Sequence, residues 1–188
     1  METKRVEIEL LTEMLGTVTK DPEVYKTFIE SKKPKDVTEE EYLTVEKIEE
    51  KGWTGFHRDE EGIFIFNYMI KGFLKHSGNV LKDNLKIKNL RSKIDDYLFV
   101  SPRKIRINGE VEGIIERPLR AMTMQGPRVT LARSDFLKIG TILDFEISLI
   151  ENKEINWKVI ELLLDYGKFM GLGQFRNGGY GQFIWKFI

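Results

Sequence analysis

The chain has no cysteine, which excludes disulfides, thiol nucleophiles and cysteine–zinc sites. It has two histidines, His57 and His76, 19 residues apart and without ligand spacing, so no metal or cofactor is expected. It also lacks a long apolar run. Met1-Glu2-Thr3-Lys4-Arg5 leads straight into alternating residues, so neither a signal peptide nor a membrane span is expected, and a cytoplasmic location is the default. No Ser-His-Asp set and no paired-carboxylate arrangement is legible.

What is present is a globular composition, 41% hydrophobic and 32% charged, on 188 residues, enough for one domain with a sizeable core. The net charge of zero is split. Residues 1–62 hold 10 Lys and Arg against 17 Asp and Glu, and residues 63–188 hold 20 against 13, a net of −7 and +7. Such a split fits either an anionic partner for the basic part or mutual neutralisation of the two parts.

Val6, Ile8 and Leu10 alternate with charged residues, which predicts a first strand. Asp21-Pro22-Glu23 and Thr38-Glu39-Glu40-Glu41 are helix-start signals, so residues 12–52 are expected to be an acidic helical insertion. Residues 53–68 predict a hairpin around Asp59-Glu60-Glu61-Gly62. Residues 69–81 predict a helix with Ile70, Phe73 and Leu74 on one face. Short strands follow at 97–100 and 104–108, with Pro102 between them. A long hairpin is expected from 117–124 and 129–133, turning at 125–128. Residues 141–150 predict another strand, and 155–169 a helix with Ile155, Val159, Leu162, Leu163, Tyr166 and Phe169 on its apolar face. A last aromatic strand runs over 183–188. The core order is β, α, β, β, α, β, an α+β arrangement of the ferredoxin-like or RRM-like kind.

The glycine-rich stretch Gly171, Gly173, Gly178, Gly179 and Gly181 follows a helix and precedes a strand. Nucleotide-binding glycine loops run the other way, from strand to helix N-terminus, so this is not a dinucleotide or P-loop site. The loop could offer amides to a phosphate, or it could be a helix stop and tight turn. Arg176 within it could bind phosphate or pair with a carboxylate.

Between Lys71 and Arg106 ten basic residues, among them Lys71 and Lys75, face three acids, Asp83, Asp95 and Asp96. Arg117, Arg120, Arg128 and Arg133 lie on the expected hairpin. Arginine grips phosphate bidentately and stacks on bases, and Phe175 and Tyr180 could add stacking faces. The basic run reads either as a binding face or as a solvated surface. His76, just past Lys75, is a weak candidate general base.

Three segments together resemble the RAMP superfamily, the proteins that form backbone subunits and guide-RNA-processing enzymes of CRISPR systems. Gly171-Leu172-Gly173, Arg176 and Gly179-Tyr180-Gly181 are similar to its closing glycine-rich loop. Ile70-Lys71-Gly72-Phe73-Leu74-Lys75 is similar to the opening of its first helix. Residues 137–147 are similar to the run into the strand before its last helix. Where the family has a further Gly and Arg in the closing loop, this chain has Gln174-Phe175. The leading reading is a non-catalytic module, and the resemblance implies that it grips single-stranded or guide RNA through its backbone. Self-association or contact with CRISPR-type subunits is also implied. Two other functions stay open: a solitary, mobile-element or phage homologue that self-assembles or interferes with a CRISPR complex, and a metal-independent endoribonuclease using His76.

Overall fold

The computed structural model describes residues 1–20, 53–123 and 126–188. The helix signals at 21–29 and 38–41 lie outside these residues. The fold is α+β, with two largely antiparallel sheets and a few helices.

Strand β1 is Glu2–Leu10, and its alternation works as read: Val6, Ile8 and Leu10 are buried while Arg5 and Glu9 are exposed. Residues 12–20 are not helical. They form β2 (Met14–Leu15) and β3 (Val18–Thr19), and Met14 and Leu15 are fully buried. Next come β4 (Trp53–Gly55), β5 (His57–Asp59) and β6 (Gly62–Phe66). The β5–β6 pair is the expected hairpin, with His57 opposite Phe64. Helix α1 (Asn67–Leu85) buries Ile70, Phe73, Leu74, Ser77 and Gly78. Helix α2 (Leu90–Tyr97) was not expected. Only Leu90 and Ile94 are buried on it, too few apolar positions for a clear period.

Strands β7 (Leu98–Ser101) and β8 (Lys104–Asn108) flank Pro102. They pair with successive halves of β11 (Ile142–Leu149), so proline, which lacks an N–H, sits where the pairing steps from one to the other. The long hairpin is β9 (Gly113–Thr123) with β10 (Gly126–Leu137). Its turn is tighter than expected. Gly126, Pro127 and Arg128 already pair with Thr123, Met122 and Ala121.

Helix α3 (Trp157–Asp165) is capped by Asn156, whose side chain accepts from the Val159 amide at 3.2 Å. A short α4 (Gly167–Met170) follows. The buried face of α3 carries Trp157, Val159, Ile160, Leu163 and Leu164. Leu162 and Phe169, expected on that face, are exposed, so the predicted stripe was rotated. Strand β12 (Phe183–Phe187) closes the described chain and buries Phe183.

The larger sheet has the order β12-β1-β11-β8-β6-β5, with β7 also on β11. The smaller has the order β2-β10-β4-β3, with β9 on β10. The only parallel pairing among the described strands is β4 with β10. One core lies between the larger sheet and the helices, joining Val6 and Ile8 of β1, Phe145 of β11, Phe73 and Leu74 of α1, Ile160 of α3 and Phe183 of β12. The opposite face of β1 and β11 carries Glu7, Glu9, Asp144 and Glu146 against Arg5. No described helix is long and apolar enough to cross a membrane.

Candidate nucleic-acid interface

The glycine loop links α4 to β12 and is clamped onto the segment after β1. The Leu172 amide donates to Gly181 O at 2.8 Å, the Gln174 amide to Leu15 O at 3.2 Å and the Gly181 amide to Glu13 O at 2.8 Å. Thr12 Oγ1 donates to Gly179 O at 2.8 Å and accepts from the Gln182 amide at 2.9 Å. Gly181 must be glycine. Its φ is +73°, and a Cβ there would fall 1.8 Å from Leu172 O. The Gly178 and Gly179 amides are used in a local 3-10 turn over Arg176–Gly178. With so many amides spent within the protein, the loop's capacity for an anion lies chiefly in its side chains.

Directly under the loop is Arg117 of β9, only 7% exposed. One terminal nitrogen donates to Ser134 Oγ at 2.9 Å and to Gln174 Oε1 at 3.0 Å. Thr54 Oγ1 lies 2.8 Å from Ser134 Oγ and 3.2 Å from Gln174 Oε1. The Phe175 ring covers the guanidinium, 4.7 Å from Cζ to the ring centroid, and Tyr180 lies against Phe175 at 5.9 Å. Arg117 Nε is buried and without a hydrogen-bond partner, and no carboxylate among the described residues pairs with this cation. Burial pushes its pKa down, with Tyr180 opposing. A buried guanidinium held only by neutral oxygens and a ring is costly unless something further uses it.

Arg176 is partly exposed, and no ion pair to it is found among the described residues. It lies close enough to His76 of α1 to lower that histidine's pKa, as does Arg91 of α2, burial being the larger cause. His76 Nε2 is buried without a partner. The histidine lines an open cleft of about 360 Å³ with Tyr68, Lys71, Gly72, Lys75, Arg91 and Asp95. The structure brings three of the expected residues, Arg117, Arg176 and His76, into one run, Arg117, Phe175, Arg176, His76, Arg91, which the sequence reading had not joined.

Other expected cations are engaged. Asp95 takes both Lys71, at 3.4 Å, and Lys75, at 2.6 Å. Arg133 donates to Glu116 at 2.7 Å. Lys104 and Arg106 share Asp59, and Lys93 pairs with Glu154 at 2.6 Å. The sparse acids of the 71–106 stretch are therefore supplemented from Asp59, Glu61 and Glu154, which lie elsewhere in sequence. Lys82, Lys86, Lys88 and Arg91 are exposed and carry no ion pair among the described residues. The backbones of Arg120 and Arg128 pair within the β9–β10 hairpin, and their side chains lie outside the described residues. Sequence reading counted Arg91 in the basic run without singling it out, and missed Ser134, Thr54 and the role of Gln174. The one available signal was that Gln174-Phe175 departs from the family's loop. Among the described residues no group of three or more His, Asp or Glu is arranged to hold a metal ion.

No protein-family model matches the chain, and no curated protein matches it. Among solved structures, it is similar to a chain in a structure of the Type III-B Cmr-beta bound to cognate target RNA. That similarity has a TM-score of 0.49 and 12% identity, over 100% of this chain and 61% of the other. It is also similar to a chain of a Type IV-B CRISPR complex, with a TM-score of 0.49 and 11% identity, over 100% of this chain and 90% of the other. This chain thus spans less than two thirds of the first and most of the second.

Proposed function

We propose that this chain is a non-catalytic module that grips single-stranded RNA through its backbone, built on a ferredoxin-like core of the RAMP kind. The strand order β12-β1-β11-β7/β8, antiparallel at each step, supports that core, since it is the order of two interleaved β-α-β units. The observation that carries the function is the gathering of three arginines without carboxylate partners among the described residues, Arg91, Arg117 and Arg176, around the glycine loop and α1. Guanidinium groups left unpaired in a folded protein suit phosphate oxygens, and the adjoining Phe175, Tyr180 and Tyr68 suit bases. Lys71 and Lys75 join the interface once Asp95 yields to phosphate, whereas Arg133 lies on the opposite face of the β9–β10 hairpin from Arg117. The outward face of β1 and β11 is a poor platform for RNA, because Glu9 and Glu146 there carry no ion pair among the described residues.

Filter binding of nucleic-acid-free protein at two salt concentrations tests this. Single-stranded RNA should bind more tightly than duplex DNA. Affinity should fall steeply with salt, and Arg176→Ala and Arg91→Ala should weaken it. No binding at low salt removes the proposal.

One observation favours a second reading, an endoribonuclease. Burial and two arginines favour the neutral form of His76, and its unpartnered Nε2 could accept the proton of an RNA 2′-hydroxyl. Incubation with RNA in a chelator separates the two. The non-catalytic reading expects intact RNA. Cleavage that leaves 2′,3′-cyclic phosphate ends and is lost in His76→Ala establishes the enzyme instead.

A further inference from the structure

Arg117 and Phe175 stand in a relation that simple loop packing does not account for. The guanidinium is buried, yet its Nε–H has no partner, and Ser134 and Gln174 occupy only one terminal nitrogen. Buried donors are nearly always satisfied, so an unused N–H on a buried cation points to a missing acceptor. The group covering it is Phe175, a non-glycine residue at φ +55° that is still 45% exposed. A large side chain in the left-handed region is strained and persists only where its surroundings hold it.

Ring contacts with Arg117 and Tyr180 hold Phe175, but its hydrogen bonding is local. Among the described residues, the stretch 175–178 makes hydrogen bonds only within its own turn, from the Gly178 amide to Phe175 O and the Gly179 amide to Arg176 O. Its ends, by contrast, are fixed: the Gln174 amide bonds Leu15 O and Gly179 O accepts from Thr12. Gly179, at φ +85°, bounds the stretch on its far side. Nothing within 4 Å would meet a Cβ at Gly179, so the chain has room there.

We propose that Arg117 is a covered phosphodiester site and that Phe175 is its lid. Turning at the Gln174–Phe175 link and at Gly179, the lid swings outward and uncovers the Arg117 guanidinium for a phosphate of a single-stranded RNA. This inference rests on the RNA-binding reading. Nε–H offers one free, charge-assisted donor to a phosphate oxygen, since the terminal nitrogen on the same edge is already held by Ser134 and Gln174. Ser134 and Gln174 keep the guanidinium oriented while the lid moves. Arg176, carried on the lid, travels with it and supplies a second cation, and the released Phe175 ring becomes a stacking surface for a base. In the closed state only the open fraction of molecules binds, so affinity is reduced by that fraction.

The test reads the Arg117 Nε–H resonance by ¹⁵N–¹H NMR, assigned with Arg117→Lys, or Arg117→Gln if the lysine variant does not fold. The probes are inorganic phosphate, the dinucleotide UpU and a uridine dodecamer, each titrated into wild type and Phe175→Ala. Phosphate has no base to stack, so loss of the ring cannot confound it. Removing the lid should lower the phosphate and UpU midpoints by about fivefold or more, and the gain should vanish when Arg117 is also replaced. An unchanged midpoint in Phe175→Ala, or a gain that survives loss of Arg117, overturns the lid. A response to phosphate but none to UpU overturns the phosphodiester assignment in favour of a free anion. If phosphate and UpU respond as expected but wild type ignores the dodecamer, the covered site stands and the RNA-binding reading falls.

Discussion

The carboxylate of Asp95 on α2 holds Lys75 of α1 at 2.6 Å, and its backbone carbonyl accepts from Lys71 Nζ at 2.8 Å. One acid thereby occupies both lysines of the segment that resembles the RAMP first helix. The lysines hold the Asp95 carboxyl below its ordinary pKa, so it stays charged and competes with any phosphate at neutral pH.

Asp95→Asn should release that competition. Single-stranded RNA affinity should rise roughly threefold to tenfold at low salt. The slope of log affinity against log salt should steepen by up to about 1.4, for two newly available cations at about 0.7 each. Fold stability should change by no more than about 1 kcal/mol, as for an exposed ion pair. Filter binding across a salt series and a denaturation curve check both parts. Weaker RNA binding in this variant would place Lys71 and Lys75 outside the interface.

His57 gives the protein an acid sensitivity. It is 3% exposed, stacked on Phe64 and edge-on to Phe66, and burial with Lys104 nearby lowers its pKa from 6.5 to about 4. The unfolded chain takes up the proton first as pH falls, so stability is full above about 6.5 and is lost as pH drops toward 4. The loss is on the order of 3 kcal/mol at 1.4 kcal/mol per pKa unit. His76, also lowered, adds in the same direction. Asp59, held low by Arg106 and Lys104, contributes stability lost only at more acid pH. Urea midpoints between about pH 7 and about pH 4.5 should fall for wild type and fall clearly less for His57→Phe. A level wild-type series contradicts the assignment.

The glycines of the loop are not equivalent, although the sequence shows them alike. Gly181→Ala places a methyl on Leu172 O at φ +73° and should cost about 3 kcal/mol or more. Gly179→Ala, at φ +85° but in open space, should cost about 1 kcal/mol, the penalty of a left-handed alanine. Thermal or chemical denaturation of the two variants should separate them clearly, and equal losses would mean that the loop adjusts around Gly181.

The fold was legible where one period dominated. Val6, Ile8 and Leu10 gave β1, and Ile70, Phe73 and Leu74 gave the inner face of α1. It was less legible where apolar residues were few, as in α2, or abundant all round. In α3 so many positions are apolar that Leu162 was assigned inward while Trp157, Ile160 and Leu164 do the packing. The basic surface was half legible. Charge counting found the cations but not their partners, because Arg106 meets Asp59 47 residues away and Lys93 meets Glu154 61 residues away. Burial of Arg117 was invisible, since its cover and its hydrogen bonds come from Phe175, Gln174 and Ser134, brought together only by the β9–β10 pairing and the loop.

The charge split leads to a last prediction, self-association. On β1 and β11 the outward face bears Glu7, Glu9, Asp144 and Glu146. Arg5 pairs with Asp144 and Lys186 with Glu7, which leaves Glu9 and Glu146 without an ion pair among the described residues. The helices cover the other face of that sheet, and at the end of α1 and start of α2 stand Lys82, Lys86, Lys88 and Arg91, likewise without ion pairs. Acidic and basic surfaces set apart on one chain attract head to tail, a geometry that yields rings or open stacks rather than only two-fold dimers. Light scattering at micromolar concentration should show species larger than a monomer at low salt. These should fall apart as salt rises, because exposed charges are screened within about 8–10 Å. Glu9→Lys with Glu146→Lys should abolish the assembly, and replacing Lys82, Lys86 and Lys88 by Glu in the same chain should restore part of it. A monomer at every salt concentration would mean that the opposite charges of the two parts are satisfied within one molecule.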